Sequence, residues 1–289
     1  LHSYAPKLQR MDAVETTFLS DYIEIAVPKL DHLGTRYEAY KKIARQGTEL
    51  WFYTVGIFQA SSYPNKTIDL PVIDNRVLHW LNYRYDLTGF LHWGWNQWTD
   101  DPFHEVGRHI GDGWMVYPAR NGVLNSLRWE EMRNGIQDYE YLWLLEQKVR
   151  ALKDSLGERF AWIDPTQRGK EIAGRVVPGL AAHTTDPTVL YHAKREILRE
   201  IMDFDTHPRV YVQTVPWVHS AIKSRSPVEV FGWAEPGTTI TINGEQIPIR
   251  EDGLFMELFS LFPKTNIINI QATNNGKTKH IVRTFQVEY

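Results

Sequence analysis

Tryptophan and carboxylate are the side chains with most chemistry to offer in this sequence, and they crowd into one stretch. Eight of the eleven Trp lie between residues 51 and 143, and the run Trp93-Gly94-Trp95-Asn96-Gln97-Trp98 is followed by Gly113-Trp114. Asp100, Asp101, Glu105 and Asp112 share that stretch with His104 and His109. Indole rings stack on the flat C–H faces of a pyranose, Asn and Asp bind hydroxyls, and carboxylates do acid–base work at glycosidic bonds. A solvated loop is the plain alternative. Asp112 departs from it, because Gly111 and Gly113 on either side let backbone approach a ligand closely. Trp80, Trp129 and Trp143 fall on helical patterns and are expected in the core. Asp12 and Glu15, after the first strand, read as structural.

Other chemistries find less support. With no Cys there is no thiolate ligand, disulfide or Cys nucleophile. His92, His104 and His109 lack helical i, i+4 spacing, and neither HExxH nor a calcium loop occurs, so no metal and no cofactor is expected. Gly-x-Ser-x-Gly and Gly-x-Gly-x-x-Gly are absent. A net charge of −3 offers no basic field for nucleic acid. No apolar run approaches the roughly 18 residues of a membrane span.

These residues must be placed by elements, and the 289 residues divide into two grammars near 205/206. Up to residue 205 strand and helix patterns alternate. Strands are expected at 9–15, 21–28, 49–57 and 87–95, and helices at 36–47, 71–85, 126–152 and 187–204, with 96–125 irregular. Alternation of this kind implies a parallel sheet. Four such strands make half of a (β/α)₈ barrel, which alone would expose two sheet edges and an apolar interior. From 206 to 289 seven short β-branched runs (209–215, 227–234, 238–242, 246–250, 254–261, 266–273, 279–289) alternate with turns. Pro236-Gly237, Asn243-Gly244, Asp252-Gly253 and Asn275-Gly276 supply the positive-φ residues of hairpins, so this part reads as a sandwich.

The succession LWFYTVG, SSYPN, GFLHWGWNQW, GDGWMVYP and SLRWEEMRNGIQDYEYLWLL resembles the C-terminal half of the glycoside hydrolase family 123-like catalytic domain, over roughly residues 8–150. That resemblance implies an α/β chain: the C-terminal half of a (β/α)₈ TIM-type barrel, with carbohydrate as substrate. It also implies a retaining β-N-acetylhexosaminidase, N-acetylgalactosaminidase-like, in which the substrate's acetamido group is the nucleophile. An Asp orients that group and the adjacent Glu is general acid/base. No Asp-Glu dipeptide occurs in this sequence. The pair is expected upstream of Leu1, together with the other half of the barrel and any export signal. The resemblance carries over the substrate-binding residues Trp51, Tyr53, Tyr63, Trp93, Trp95, Asn96, Trp98, Asp112 and Tyr117. Arg133, Asp138 and Tyr141 match its helix motif, but their helical spacing suits packing and ion pairing. Residues 206–289 resemble the Ig-like modules that accompany secreted bacterial glycosidases, where one of Trp217 and Trp233 is expected to anchor the core. An extracellular or cell-surface location follows from the same resemblance. A non-catalytic carbohydrate-binding or scaffold protein is the competing expectation.

Overall fold

The computed structural model describes residues 4, 7–13, 15–56, 62–217, 222–223 and 227–288. Ser61 of the SSYPN segment, Val14 within the first expected strand, and Ile57 and Tyr289 at the ends of two others lie outside the described residues. The chain is mixed α/β and forms two compact units, Leu1–Leu142 with Ala173–Lys194, and Trp143–Ile172 with Arg195–Tyr289.

The first unit is built on a parallel sheet of β1 (Met11–Asp12), β2 (Ile25–Ala26), β3 (Glu49–Tyr53) and β4 (Gly89–Leu91), side by side in chain order. All four expected strands form, shorter than their patterns. β3 alternates as a half-buried strand should: Leu50 and Phe52 are buried, while Trp51 and Tyr53 share the other, partly open face. Trp51 pairs in register with Gly89, and a Cβ at Gly89 would lie 2.1 Å from the indole. Only glycine on β4 lets that ring cross the neighbouring strand.

Between the strands lie α1 (Leu30–Thr35), α2 (Tyr37–Arg45) and α3 (Ile73–Arg84). α2 buries Tyr40 and Ile43 and stops before Gly47 at φ 108°. In α3 even Asp74, Asn75 and Arg76 are buried. The region 96–125, expected to be irregular, ends in an antiparallel hairpin of β5 (Val116–Ala119) and β6 (Gly122–Asn125). Four-residue strands carrying Pro118 show no period to read. α4 (Leu127–Leu156), α5 (Gln167–Val176) and α6 (Pro187–Asp203) complete the helices. α1 is too short for a periodic signal, and α5 was not expected. Within the first unit Gly135 of α4 meets α3 so closely that a Cβ would lie 2.4 Å from the Arg76 carbonyl. Asp138, fully buried, accepts from Arg76 at 2.7 Å and Trp80 at 3.2 Å and pairs with Lys194 at 3.0 Å. Asp138 therefore pairs ions in the interior, as its spacing predicts, whereas Arg133 stays exposed beside Glu130.

In the second unit, β7 (Val210–Val215), β8 (Ile222–Lys223), β9 (Pro227–Ala234), β10 (Thr239–Ile242), β11 (Glu245–Ile247), β12 (Leu254–Ser260), β13 (Lys264–Asn274) and β14 (Lys277–Glu288) form two sheets. Their orders are β11-β10-β13-β14-β8 and β12-β9-β7. The seven expected runs all pair, and β8 is an eighth, parallel addition. Inward residues of both sheets, among them Val212, Val230, Phe255, Ile270 and Phe285, share one apolar cluster. Asn243-Gly244 and Asn275-Gly276 take positive φ, as their hairpins require. A second cluster gathers Trp233 and Tyr211 with Val149, Leu152, Phe160 and Ile163, so Trp233 is a core residue of this unit.

One expected core residue is not buried. α4 buries Leu142, Leu145, Val149 and Leu152, a stripe with steps of three and four, and Trp143 falls off it at 45% exposure. Trp80 is fully buried as expected, and Trp129 is half-buried.

Candidate functional site

In a parallel sheet a ligand is met at the C-terminal ends of the strands. β3 ends at Tyr53, followed by Thr54 to Gly56, and β4 ends at Leu91, followed by His92 and Trp93. Residues 95–97 and 113–115 lie antiparallel beyond them, joined by Met115 N–H to the Trp95 carbonyl (2.8 Å) and Gln97 N–H to the Gly113 carbonyl (2.9 Å).

Asp112 is the centre of this arrangement. It is 1% exposed, and its Oδ2 accepts from the Gly56 N–H at 2.6 Å and the Trp93 indole N–H at 3.1 Å. One carboxylate thus ties the end of β3 to the residue after β4. Its Oδ1 has no hydrogen-bond partner among the described residues. A Cβ at Gly113 would lie 2.9 Å from the Trp93 ring, so the close approach this glycine permits is to Trp93 itself. The loop is strained where it turns: Ile110, a β-branched residue, sits at φ 52° between Gly107 and Gly111.

Around Asp112 the structure gathers groups that local pattern did not single out. His92 stacks on Trp93 with ring centres 6.1 Å apart and lies 6.2 Å from the Tyr53 ring. Burial and then the Lys66 charge push its pKa down to about 3, so its ring is neutral. Its Nδ1 lies 3.2 Å from both the N–H and the carbonyl of Gly94, and its Nε2 stands 3.7 Å from Asp112 Oδ2. Lys66 is 3% exposed and donates from Nζ to the Gly94 carbonyl at 3.1 Å. Burial, with the Arg128 charge added, pushes the Lys66 ammonium down to about 7. Arg128 holds the carbonyls of Lys66, Gly111 (2.8 Å) and Trp114 (2.7 Å), fastening α4 to both flanks of the loop. Nothing in their local sequence distinguishes Lys66 and Arg128 from surface cations, because the loop that covers them comes from elsewhere in the chain.

The nine expected substrate-binding residues divide. Tyr53, Trp93 and Asp112 come together, and burial and the Asp112 charge raise the Tyr53 phenol. Trp93 keeps 47% of its surface open. A shallow cavity of about 160 Å³ runs along Trp93, Trp98 and His109. Trp98 is fixed by its indole N–H to the Val116 carbonyl at 2.7 Å, and Asn96 bridges Trp114. Trp95 is 42% exposed and meets the edge of Trp129, and Tyr117 stacks on Phe103 at 5.2 Å. The other two stand apart. The Trp51 indole N–H is turned to Glu49 Oε1 (2.8 Å), at the start of its strand. Tyr63 packs against Gly34 of α1.

Glu15 sits near the β1 end, its carboxylate 2.7 Å from Lys29 and 3.3 Å from His32. The hydrogen bond from Lys29 holds its pKa below the usual range, against partial burial. A general acid at neutral pH needs the opposite shift. Among the described residues no group of three or more His, Asp or Glu is arranged to hold a metal, and no helix is long and apolar enough to cross a membrane.

With this geometry in hand, comparison with known proteins gives a family. The sequence profile of the glycoside hydrolase 123 catalytic domain matches residues 1–145, half of the chain, and the chain belongs to that family. Among solved structures, a family 123 glycoside hydrolase from Clostridium perfringens, described in connection with glycolipid glycan hydrolysis, superposes with a TM-score of 0.50 at 18% identity. The match covers 68% of this chain and 36% of that one, so the present chain spans about a third of that enzyme's length. An endo-β-1,4-mannanase from Thermotoga petrophila overlaps 93% of this chain and 49% of its own at 10% identity, but a TM-score of 0.23 supports no conclusion. No curated protein matches.

Proposed function

We propose that this chain forms the aromatic side of the substrate pocket in a retaining, substrate-assisted β-N-acetylhexosaminidase of N-acetylgalactosaminidase type. The observation that carries this reading is Trp93: half open at the strand ends and locked by a buried carboxylate, it is a rigid apolar plate of the kind a pyranose face stacks on. Trp95, Trp98, Asn96, Tyr53 and Tyr117 extend the wall, while Trp51 and Tyr63 stand apart from it. Asp112 serves by holding Trp93. In this scheme the parallel sheet is the C-terminal half of a (β/α)₈ barrel, and the β-rich region is an Ig-like module that begins near residue 206. Action on an extracellular or cell-surface glycan fits the same reading.

The chemistry needs an orienting Asp and a Glu acid/base, which protonates the leaving oxygen as the acetamido oxygen attacks the anomeric carbon. Both are assigned to residues preceding Leu1, since the 289 residues hold no Asp-Glu pair and Glu15 is held as a stabilised anion. The absence of that pair equally favours a carbohydrate-binding chain without catalysis.

One experiment separates the two. The chain extended by its preceding residues is assayed with a chromogenic N-acetylgalactosaminide, and 1–289 alone beside it. We expect turnover only in the longer protein, weakened by Trp93→Ala. Binding of N-acetylgalactosamine without turnover in either would favour the scaffold, and unchanged affinity in Trp93→Ala, Trp95→Ala and Trp98→Ala would remove the aromatic wall.

A further inference from the structure

A second cavity, of about 280 Å³, lies wholly within the second unit and is lined from α4, α5, α6, β7 and β14. It is near the lower end of small-molecule sites, which run about 300–1,000 Å³. Four basic and three acidic side chains line it, and Glu171, 3.3 Å from Arg168, makes the balance even. No net field selects an ion there.

The polar groups are unequally matched. Arg168 donates to Glu200 at 2.8 Å, Glu171 at 3.3 Å and Glu196 at 2.6 Å, so its fork is taken. Arg283 is different. It is 5% exposed, and among the described residues its guanidinium makes one hydrogen bond, from Nη1 to the Val282 carbonyl at 3.1 Å. Glu200 Oε1 stands 3.7 Å from it, already accepting from Arg168. Glu200 Oε2 accepts no hydrogen bond among the described residues. A guanidinium has five donors, and a buried one left with most of them unmatched calls for a partner.

Donors from Arg283 and an acceptor on Glu200, only a few ångströms apart, suit two neighbouring hydroxyls, since each hydroxyl both gives and takes a hydrogen bond. Leu145, Val149 and Ile281 supply aliphatic wall for the C–H face of the ring that bears them. We propose that this cavity is a second carbohydrate site, taking one neutral pyranose by a vicinal diol held between Arg283 and Glu200. It does not depend on the Trp93 wall.

The test is amide chemical-shift titration of the full 289-residue chain with methyl β-D-galactopyranoside, with sodium acetate as the ionic control. Trp93→Ala and Trp95→Ala are present throughout, so the aromatic wall is silenced. The pyranoside should shift the amides of residues 210–212 and 281–283. Arg283→Gln should weaken that response about tenfold, and Arg283→Lys, which keeps the charge beside Glu200 but loses the fork, should weaken it as well. Three results would overturn the site: no shift at these amides at about 50 mM pyranoside, far above a millimolar Kd; shifts unchanged in a folded Arg283→Lys; or shifts produced by acetate alone.

Discussion

In the second unit the buried Arg168 is ringed by Glu171, Glu196 and Glu200. Burial opposes its charge, yet those carboxylates hold its pKa above the ordinary value. Near the strand ends of the first unit, Lys66, His92 and Arg128 are buried with less compensation, and burial drives all three pKa values down. Asp112 Oδ1 and the Trp114 indole nitrogen are buried there without partners among the described residues, and Ile110 is strained. The first arrangement has the character of a structural ion network. The second resembles a functional site, where the fold tolerates strain and unmatched polar groups to fix a few side chains in place. The difference singles out the strand ends of the first unit as the candidate site and leaves Arg168 to structure.

The contrast is broken most directly at Arg168. Arg168→Ala leaves three carboxylates without their cation and should lower the unfolding free energy by about 3–5 kcal/mol. Urea denaturation measures it, and a loss under about 1 kcal/mol would deny the network its role.

Acid should act on the first unit through its histidines. His92 and His79, whose pKa burial pushes to about 3 and about 4, are neutral when folded but protonate near 6.5 when unfolded. The unfolded state therefore binds more protons between those values, and stability falls as pH drops from 6.5. Each histidine contributes about 1.4 kcal/mol per pH unit, or roughly 2 kcal/mol by pH 5. His92→Asn should flatten the slope. Denaturation curves that superimpose at pH 5 and pH 7 would contradict the buried neutral ring.

Lys66 opens a separate alkaline window. Its folded pKa of about 7 lies below the unfolded value, so the unfolded state again holds the extra proton, and stability should rise as pH goes from 7 toward 10. By pH 9 the gain is roughly 2–3 kcal/mol, absent in Lys66→Met.

Smaller effects sharpen the site against the core. In the extended protein, Trp93→Ala or Trp95→Ala should weaken sugar binding roughly five- to a hundredfold, by analogy with the 1–3 kcal/mol of base–aromatic stacking. Trp143→Ala, at an exposed helix position, should change stability by less than about 1 kcal/mol and leave affinity alone. Calorimetry and thermal melts check both.

Much of the second unit's β-structure was legible because its signals are local. Asn-Gly turns demand positive φ, and alternating β-branched runs favour pairing, so the seven strands could be read, with ends displaced by a few residues. The four parallel strands of the first unit and the helices α2, α3, α4 and α6 were legible for the same reason, whereas α1, α5 and the β5–β6 hairpin were not. Burial was harder. Trp143 looked like core because an aromatic on an amphipathic helix usually is, but which stripe faces inward depends on what packs there.

The sequence by itself determined the order of the four parallel strands and of α2, α3, α4 and α6, the hairpin turns of the β-rich region, the lack of thiol chemistry and the concentration of Trp and Asp between 93 and 114. Tertiary structure alone decided that Asp112 faces inward to Gly56 and Trp93, that Lys66 is buried against the Gly94 carbonyl, and that Arg128 binds the loop carbonyls. Those contacts join residues up to 62 positions apart. A charged side chain shows in sequence only its type, whereas its desolvation and its partners come from segments the local pattern cannot see.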